Sequence, residues 1–508
     1  MKQAVDDEDV QGLVRYGYGS MKLASYALVW VKNMAAAQAW LRSAPITTAV
    51  KLKSPPKTAL NIAFTAPGLR AIGIPESVIE GFSHEFRAGM AQESRARQLG
   101  DVGLNAPEHW QWGRPAEEPH ALVMFFGEIA EFETFVQSQT GAAWHEAFES
   151  VRWLPTVKLD RFEPFGFADG ISQPKPDWDQ KRAYMKIQFD YTNEVALGEF
   201  LLGYPNEYGK LTERPLLEAD TASAGLLPAE EAPGKKDLGR NGTYLVMRQL
   251  EQDVPGFWKF VDEQSGGDAV EAAKLAAAMV GRTKEGDPLV PIQDEAIPGI
   301  AKGETQNHFT FDGDPSGARC PFGAHVRRAN PRNSDFPNRP ASFFKKILTM
   351  LGFGPNGFRD DLMSSVRFHR VLRRGRKYGE ATAPAAAPRG LYFICLNANI
   401  SRQFEFLQNA WMNSTKFSGL TGESDPLLGQ RGAIPGCPVT SSFTMQADGG
   451  FRRRIAGLPQ FVTVRGGAYF FLPSLRALRY FAGEEGTASM KTSICCPTKS
   501  GTPPASTA

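Results

Sequence analysis

The regular pattern of the chain begins with Ser-Tyr-Ala-Leu-Val-Trp-Val-Lys at residues 25–32, followed at once by Met-Ala-Ala-Ala-Gln-Ala-Trp-Leu-Arg-Ser at residues 34–43. The first stretch is apolar and rich in β-branched and aromatic residues, which predicts a strand. The second stretch has the length and pattern of a helix. This strand-to-helix step is the unit from which the rest of the fold is predicted.

Further elements continue the rhythm as far as residue 160. We expect strands over residues 60–64, 122–126 and 151–159, and a helix over residues 129–139. The resulting order is β-α-β-β-α-β, which is the split unit of ferredoxin-like folds.

The second half of the chain repeats this order without repeating its residues. Strands are predicted over residues 243–250, 366–373, 391–396 and 468–472, with helical stretches over 255–281, broken near Gly266 and Gly267, and over 401–412. We therefore predict an α+β protein with two ferredoxin-like domains and antiparallel sheets, residues 1–160 and 161–485. The second domain carries insertions, and the Ser/Thr/Pro-rich tail, residues 486–508, is expected to be disordered.

Composition excludes several classes of protein. The 508 residues, 42% apolar and 22% charged, suit a globular chain of two or more domains, and a net charge of +2 argues against a nucleic-acid binder. No apolar run reaches the ~20 residues of a membrane span. The acidic first residues lack a secretory pattern, so we expect a cytoplasmic protein. The five cysteines form no Cys-x-x-Cys pair, which argues against a zinc ribbon and covalently attached haem.

Three short segments carry the chemistry: residues 166–170 (Gly-Phe-Ala-Asp-Gly), 323–332 and 369–379. Asp169 lies between two glycines, which let the backbone approach a flat ligand. A carboxylate held there could move a proton between the two oxygens of hydrogen peroxide. The alternative is a common Asp-Gly turn.

His325 offers an imidazole beside a cationic run that includes Arg328 and Arg332. A b-type haem needs one strong axial ligand, most often a neutral histidine, and nearby guanidinium groups suit its anionic propionates. A packed or surface histidine is the alternative, and His369 is the rival ligand. Arg373 could stabilise the anionic peroxide, although its Arg-rich surroundings also fit a solvated cluster.

These segments, together with residues 390–408 and 457–480, resemble the dye-decolorizing peroxidase family, in particular its longer, bacterial-type subgroup. The resemblance implies that Asp169 is the distal acid–base residue, Arg373 the distal arginine and His325 the axial ligand of the haem iron. It implies one haem b per chain, in the C-terminal domain. The implied cofactor-binding residues are Gly170, Ile171, Ser172, Gln173, His325, Arg328, Arg332, Leu391 and Phe393.

The implied activity is the reduction of hydrogen peroxide coupled to one-electron oxidation of organic substrates such as dyes and phenolics. Alternatives are a haem-binding or haem-iron-handling protein without significant turnover, and a ferredoxin-like protein without haem. A homo-oligomer also stays open.

One position departs from the family pattern, in which a carboxylate often supports the proximal histidine shortly after the strand that contains Leu391 and Phe393. The counterpart here is Asn399, with Glu405 as the alternative. An amide would make the imidazole a weaker donor than a carboxylate would.

Overall fold

The computed structural model describes residues 4–181, 191–294, 296–301, 303–334, 365–380, 384, 387–432 and 440–484. The predicted tail and Cys437, Cys495 and Cys496 lie outside the described residues.

Nine strands form one antiparallel sheet. They are β1 (Leu23–Val31), β2 (Thr58–Phe64), β3 (Ala121–Gly127), β4 (Phe148–Pro155), β5 (Thr243–Gln252), β6 (Leu372–Arg373), β7 (Arg376–Tyr378), β8 (Gly390–Asn397) and β9 (Val462–Leu472). The spatial order is β6-β8-β5-β9-β2-β3-β1-β4, with β7 also paired to β8.

This order contains two ferredoxin-like units side by side. In the first, β2-β3-β1-β4 are neighbours, and in the second, β6 and β7 followed by β8-β5-β9 repeat the same arrangement. The predicted fold class is confirmed. The structure adds that the two sheets are continuous, because β9 pairs with β2 through Phe471 and Phe64.

The helices that cover this sheet are α1 (Gly12–Arg15), α2 (Met34–Ser43), α3 (Ala66–Ala71), α4 (Glu76–Ile79), α5 (His84–Ala88), α6 (Glu93–Leu99), α7 (Phe132–Gln139), α8 (Ala142–Ala147), α9 (Val254–Gln264), α10 (Ala269–Val280), α11 (His325–Ala329) and α12 (Leu475–Phe481). All the named helices except the short α1 pack on one face of this sheet, and α1 together with irregular segments such as residues 195–204 covers the other face. In β5, Tyr244 and Val246 enter one apolar core, while Leu245 and Met247 enter the core on the opposite face. Burial on both faces explains why these strands are continuous apolar runs in the sequence.

Two predicted elements differ from the structure. Where a strand was predicted over residues 366–373, the structure has a 3₁₀ helix at Ser365–His369. The observed strand pairing begins later, with β6 and β7, which both pair with β8 in one register. The segment leaves the sheet where Phe368 stacks on Tyr208 and His369 on Phe406. Residues 401–412, predicted as a helix, are wound with wider π spacing at Ser401–Glu405 and Leu407–Asn413.

The arginines around β6 and β7 are engaged rather than solvated. Arg374 donates to the carbonyls of Leu13 and Val14, and Arg376 donates to those of Tyr18 and Met21. They attach the N-terminal segment to the edge of the sheet.

No helix in the described part of the chain is both long enough and apolar enough to cross a membrane.

Candidate functional site

A cavity of about 290 Å³ lies between the sheet of the second unit and the layer that contains α11. Leu391 and Phe393 of β8 form part of its sheet wall, opposite Leu250 and Arg248 of β5 in the strand register. Four residues of the first unit also line it, namely Leu99, Gly100, Asp101 and Asn105. The predicted haem site thus draws on residues from before position 160 as well as after it.

Asp169 reaches this cavity from a tight loop. The loop is closed by a bridge between Phe162 and Ala168, and the Asp169 amide donates to the carbonyl of Arg161 at 2.8 Å. The backbone turns at Gly170 with φ of +77°, a conformation that glycine adopts without strain. The Gly170 amide then donates to Oδ1 of Asp169 at 2.6 Å.

Arg373 pairs with Asp169 across 204 residues of chain, with Nη1 at 3.0 Å from Oδ1. Gln173 fixes the backbone of Arg373, because its Oε1 accepts the Arg373 amide at 3.1 Å and its Nε2 donates to the Arg373 carbonyl at 3.4 Å. Nη2 of Arg373 donates to the carbonyl of Ser172 at 3.3 Å. The carboxylate and the guanidinium are therefore held together by their own loops.

The electrostatics of this pair favour an ionised carboxylate. Burial alone would raise the pKa of Asp169, but the charge of Arg373 and the Gly170 amide outweigh it and lower that pKa below its usual value. Both side chains line the cavity and are about half-exposed.

His325 is the first residue of α11, and its side chain lines the same cavity. Its Nδ1 lies 3.0 Å from Oδ2 of Asp425. Burial would lower the pKa of His325, but the neighbouring Asp425 carboxylate raises it overall. With Nδ1 taken by the carboxylate, Nε2 is the nitrogen through which this imidazole can bind a metal.

Asp425 corrects the prediction that Asn399 or Glu405 supports the histidine. Asn399 caps the turn that follows β8, with Oδ1 accepting the Arg402 amide at 2.8 Å. Glu405 pairs with Arg95 at 2.8 Å and accepts the Tyr469 hydroxyl at 2.8 Å. The π winding explains part of the error, since the Glu405 amide bonds to the carbonyl five residues back rather than four.

Asp425 is itself rigidly held. Its side chain is fully buried, and Oδ1 accepts the amides of Leu427 and Leu428 at 2.9 and 2.8 Å. Burial would raise the pKa of Asp425, but His325, these amide bonds and the charge of Arg328 lower it. The support behind the imidazole is therefore an ionised carboxylate, not an amide.

The two predicted propionate partners separate in the structure. Arg328 is fully buried outside the cavity lining, where it donates to the carbonyls of Gly323, Trp411, Ser414 and Glu423. Its guanidinium is used to hold the backbone, and the expectation that it binds haem stays a prediction. Arg332 does line the cavity, and so do Arg282 and Arg370, which the sequence did not single out.

His369, the rival ligand, also lines the cavity but is committed elsewhere. Its Nδ1 is bonded to the carbonyl of Arg402, and its ring stacks on Phe406 with centroids 3.5 Å apart. Burial lowers the pKa of His369 to about 4. This is a packed histidine supported by backbone, without a carboxylate partner.

Most of the other predicted residues meet at the cavity. Ile171, Ser172, Leu391 and Phe393 line it, whereas Gly170 and Gln173 act by holding Asp169 and Arg373. Nothing in the sequence around Asp425 (Glu-Ser-Asp-Pro) marked it as the partner of His325.

Comparison with known proteins gives a consistent result, although no family model matches the chain. Dye-decolorizing peroxidase msp1 of Mycetinis scorodonius is 28% identical over 452 residues, which are 84% of this chain and 76% of that protein. Multifunctional dye peroxidase DyP2 of Amycolatopsis is 29% identical over 350 residues, or 65% and 63% of the two chains. A solved dye-decolorizing peroxidase in complex with 2,6-dimethoxyphenol has the same fold, with a TM-score of 0.67 at 24% identity over 94% of this chain and 100% of that one.

The sequence relatives, the shared fold and the two carboxylate-supported groups on one cavity agree with each other, and this chain is similar to the dye-decolorizing peroxidases in sequence and in fold.

Proposed function

We propose that the protein is a haem peroxidase that reduces hydrogen peroxide and oxidises organic substrates in one-electron steps. The observation that carries the proposal is that Asp169, paired with Arg373, lines the same cavity as His325. Asp425 supports His325 from behind.

The residues present fit a haem b, one per chain. His325 would bind the haem iron, and its tautomer and orientation are set by Asp425. Nη2 of Arg282 and Nε of Arg332 are buried, border the cavity, and have no hydrogen-bond partner among the described residues. Orphaned cationic donors of this kind need an anion, which supports a role in holding the propionates.

When bound, haem would supply the iron that receives peroxide, and it would hold the two oxidising equivalents that peroxide delivers until the organic substrate returns the electrons. Asp169 takes the proton from one peroxide oxygen and returns it to the other, because its lowered pKa keeps the carboxylate ready to accept. Arg373 stabilises the negative charge that develops on the departing oxygen. Two protons and two electrons per peroxide give two molecules of water.

Organic substrates of two sizes would meet different parts of the molecule. A solved dye-decolorizing peroxidase is in complex with 2,6-dimethoxyphenol, which makes a small phenol a candidate substrate of this protein. A dye larger than the cavity would have to donate its electrons from the protein surface.

The test is reconstitution with haem followed by steady-state assays with peroxide and either 2,6-dimethoxyphenol or an anthraquinone dye. We expect turnover by the wild type and a loss of about 10²- to 10⁴-fold in Asp169→Asn with unchanged haem content. An Asp169→Asn protein within a few-fold of the wild type would refute the proton-transfer role. Haem binding without peroxide-dependent turnover in the wild type would instead favour the haem-carrier alternative.

A further inference from the structure

Glu163 occupies the neck of the loop that delivers Asp169. Oε1 accepts the amide of Phe167 at 2.9 Å, and Oε2 accepts the amide of Phe165 at 3.0 Å. Oε2 also accepts Nε2 of Gln252 at 2.9 Å, and Gln252 is the last residue of β5. Three donors from two parts of the fold therefore converge on a single carboxylate, which borders the cavity.

The main chain of the same loop is closed on itself. The amide of Glu163 donates to the carbonyl of Phe167, and the amide of Gly166 donates to the carbonyl of Glu163, both at 2.9 Å. Gly166 has φ of +94°, which lets the loop fold back over the carboxylate. Asp169 follows two residues after Phe167, so a shift of the closed loop moves the Asp169 carboxylate.

Phe165 and Phe167 connect the loop to α9. Nε1 of Trp258 donates to the carbonyl of Phe165 at 3.1 Å, and the rings of Phe165 and Phe257 lie 4.7 Å apart. The ring of Phe167 is parallel to that of Trp258. Aromatic packing therefore anchors the loop to α9, and Glu163 anchors it to β5. Of these two contacts, the one to β5, the inward anchor, is made by a carboxylate.

We propose that Glu163 is a positioning residue for the peroxidase reaction, whose ionised carboxylate holds the Asp169 loop against β5. This inference rests on the proposed function, because it assigns Glu163 a task only if Asp169 transfers the proton.

The chemistry of the three bonds requires a carboxylate. An ionised carboxylate is acceptor-only and can satisfy all three donors, whereas the glutamine amide of equal shape offers one acceptor and an NH₂ group. In Glu163→Gln, that NH₂ group would face a backbone N–H that is also a donor. The substitution conserves the volume of the side chain but removes one or both of its hydrogen bonds with the amides of Phe165 and Phe167.

Charge supports the same assignment. Burial raises the pKa of Glu163, and the nearby Asp169 carboxylate raises it further, whereas the pKa of Asp169 itself is lowered. The other charged or titratable groups that border the cavity are Asp101 bonded to Arg248, and Arg282, Arg332, Arg370, Arg373, His325 and His369. As the pH falls, Glu163 gains its proton before Asp169 does, so the acidic limb of activity starts with the loss of the inward anchor and is completed when Asp169 is protonated.

The experiment compares kcat/KM for hydrogen peroxide, from pH 3 to pH 7, in haem-loaded wild type, Glu163→Gln, Gln252→Leu and Glu251→Gln. Gln252→Leu keeps the two loop bonds but removes the donor that stabilises the Glu163 charge, so we expect its acidic limb to move to higher pH. Glu163→Gln should lose about ten- to a hundredfold at the optimum, and its acidic limb should move to lower pH. Glu251→Gln is the matched control and should leave the pH profile unchanged. Glu251 neighbours Gln252 on β5 and pairs with Arg465 of β9.

A second readout does not depend on turnover. Infrared titration of the haem-free wild type should show a carboxyl C=O band that appears as the pH falls, before Asp169 is protonated, and that is missing in Glu163→Gln. A folded Glu163→Gln protein with the wild-type rate and pH profile would overturn the inference. A slower variant with an unshifted acidic limb would also overturn it, since a merely structural residue would behave in that way. If the wild type has no peroxidase activity, the proposed function fails instead.

Discussion

Oδ2 of Asp425 lies 3.0 Å from Nδ1 of His325, and the two residues are separated by 100 positions in the chain. The carboxylate is fully buried and is bonded to two backbone amides, so it cannot turn away from the ring. A buried ionised carboxylate fixes the tautomer of the imidazole and increases its electron donation to a bound metal. The support behind His325 is therefore an ionised carboxylate, in contrast to the expectation based on Asn399.

Asp425→Asn should weaken the proximal support without removing the ligand. We expect a higher Fe(III)/Fe(II) potential, because the imidazole loses anionic character, and about 10- to 100-fold lower haem affinity or activity. Spectroelectrochemical titration of the reconstituted protein measures the potential. Glu405→Gln is the control, since Glu405 bonds to Arg95 and Tyr469 and should leave the potential unchanged. An unchanged potential in Asp425→Asn would contradict this account.

His325→Ala and His369→Ala test which histidine binds the iron. We expect the Soret band of the wild type to be lost or strongly altered in His325→Ala, because the axial ligand is gone. His369→Ala should retain it, since Nδ1 of His369 is bonded to the backbone carbonyl of Arg402. Absorption spectra after haem addition and desalting give the answer, and the opposite pattern would move the ligand to His369.

Asp169→Asn should separate proton transfer from haem binding. We expect kcat/KM for peroxide to fall about 10²- to 10⁴-fold, because the amide cannot take up the proton, while the haem spectrum is retained. Stopped-flow mixing with peroxide measures this step directly. Asp160→Asn is a suitable control, because Asp160 is half-exposed and pairs with Lys377 at 2.7 Å. A similar loss in both variants would point to general damage rather than chemistry.

Arg373→Gln should change the pH dependence as well as the rate. Although burial would raise the pKa of Asp169, the Arg373 charge lowers it in the wild type, so this carboxylate stays ionised at acidic pH. Activity that needs the ionised form is present above the folded pKa and is lost as the pH falls through it. Without Arg373 the pKa of Asp169 rises, and the acidic limb of the residual activity should move to higher pH. A lower rate with an unmoved limb would show that the pair is not coupled in this way.

Arg328→Met should destabilise the fold. The substitution leaves four backbone carbonyls without their donor. Because buried polar groups without a partner are costly, we expect the free energy of unfolding to fall by on the order of 3 kcal/mol or more. Urea denaturation of the haem-free protein measures it. Arg97→Met, which breaks only an exposed pair with Glu93, should change stability by about 0.5 kcal/mol or less. Similar values for the two variants would contradict a structural role for Arg328.

Much of the fold follows from local pattern. The helix Met34–Ser43 has its predicted bounds, and the break predicted near Gly266 separates α9 from α10. The joining of the two sheets could not be predicted, because it depends on one residue pair between distant strands. The strand predicted over residues 366–373 was displaced because long-range ring stacking, which has no local pattern, takes Phe368 and His369 out of the sheet.

The site shows the same division. Asp169, Arg373 and His325 lie in distinctive segments that the sequence could indicate, and the structure brings them to one cavity. Asp425 lies in an ordinary loop, and only the tertiary fold places it behind the imidazole. The run of arginines around Arg328 indicates positive charge, but not whether each guanidinium faces a ligand or a carbonyl.

The position of β9 has a consequence for how the protein is made. It is the last of the nine strands in chain order, yet it lies in the middle of the sheet between β5 and β2, and its Val462 and Val464 border the cavity. The N-terminal segment depends on α12 in the same way, because Asp9 accepts the amides of Leu475 and Arg476 at the beginning of that helix. Until β9 has been synthesised, β2 presents an unpaired edge and the cavity lacks a wall. Cofactor loading is therefore a late event in the folding of each polypeptide, possible only once β9 has joined the sheet.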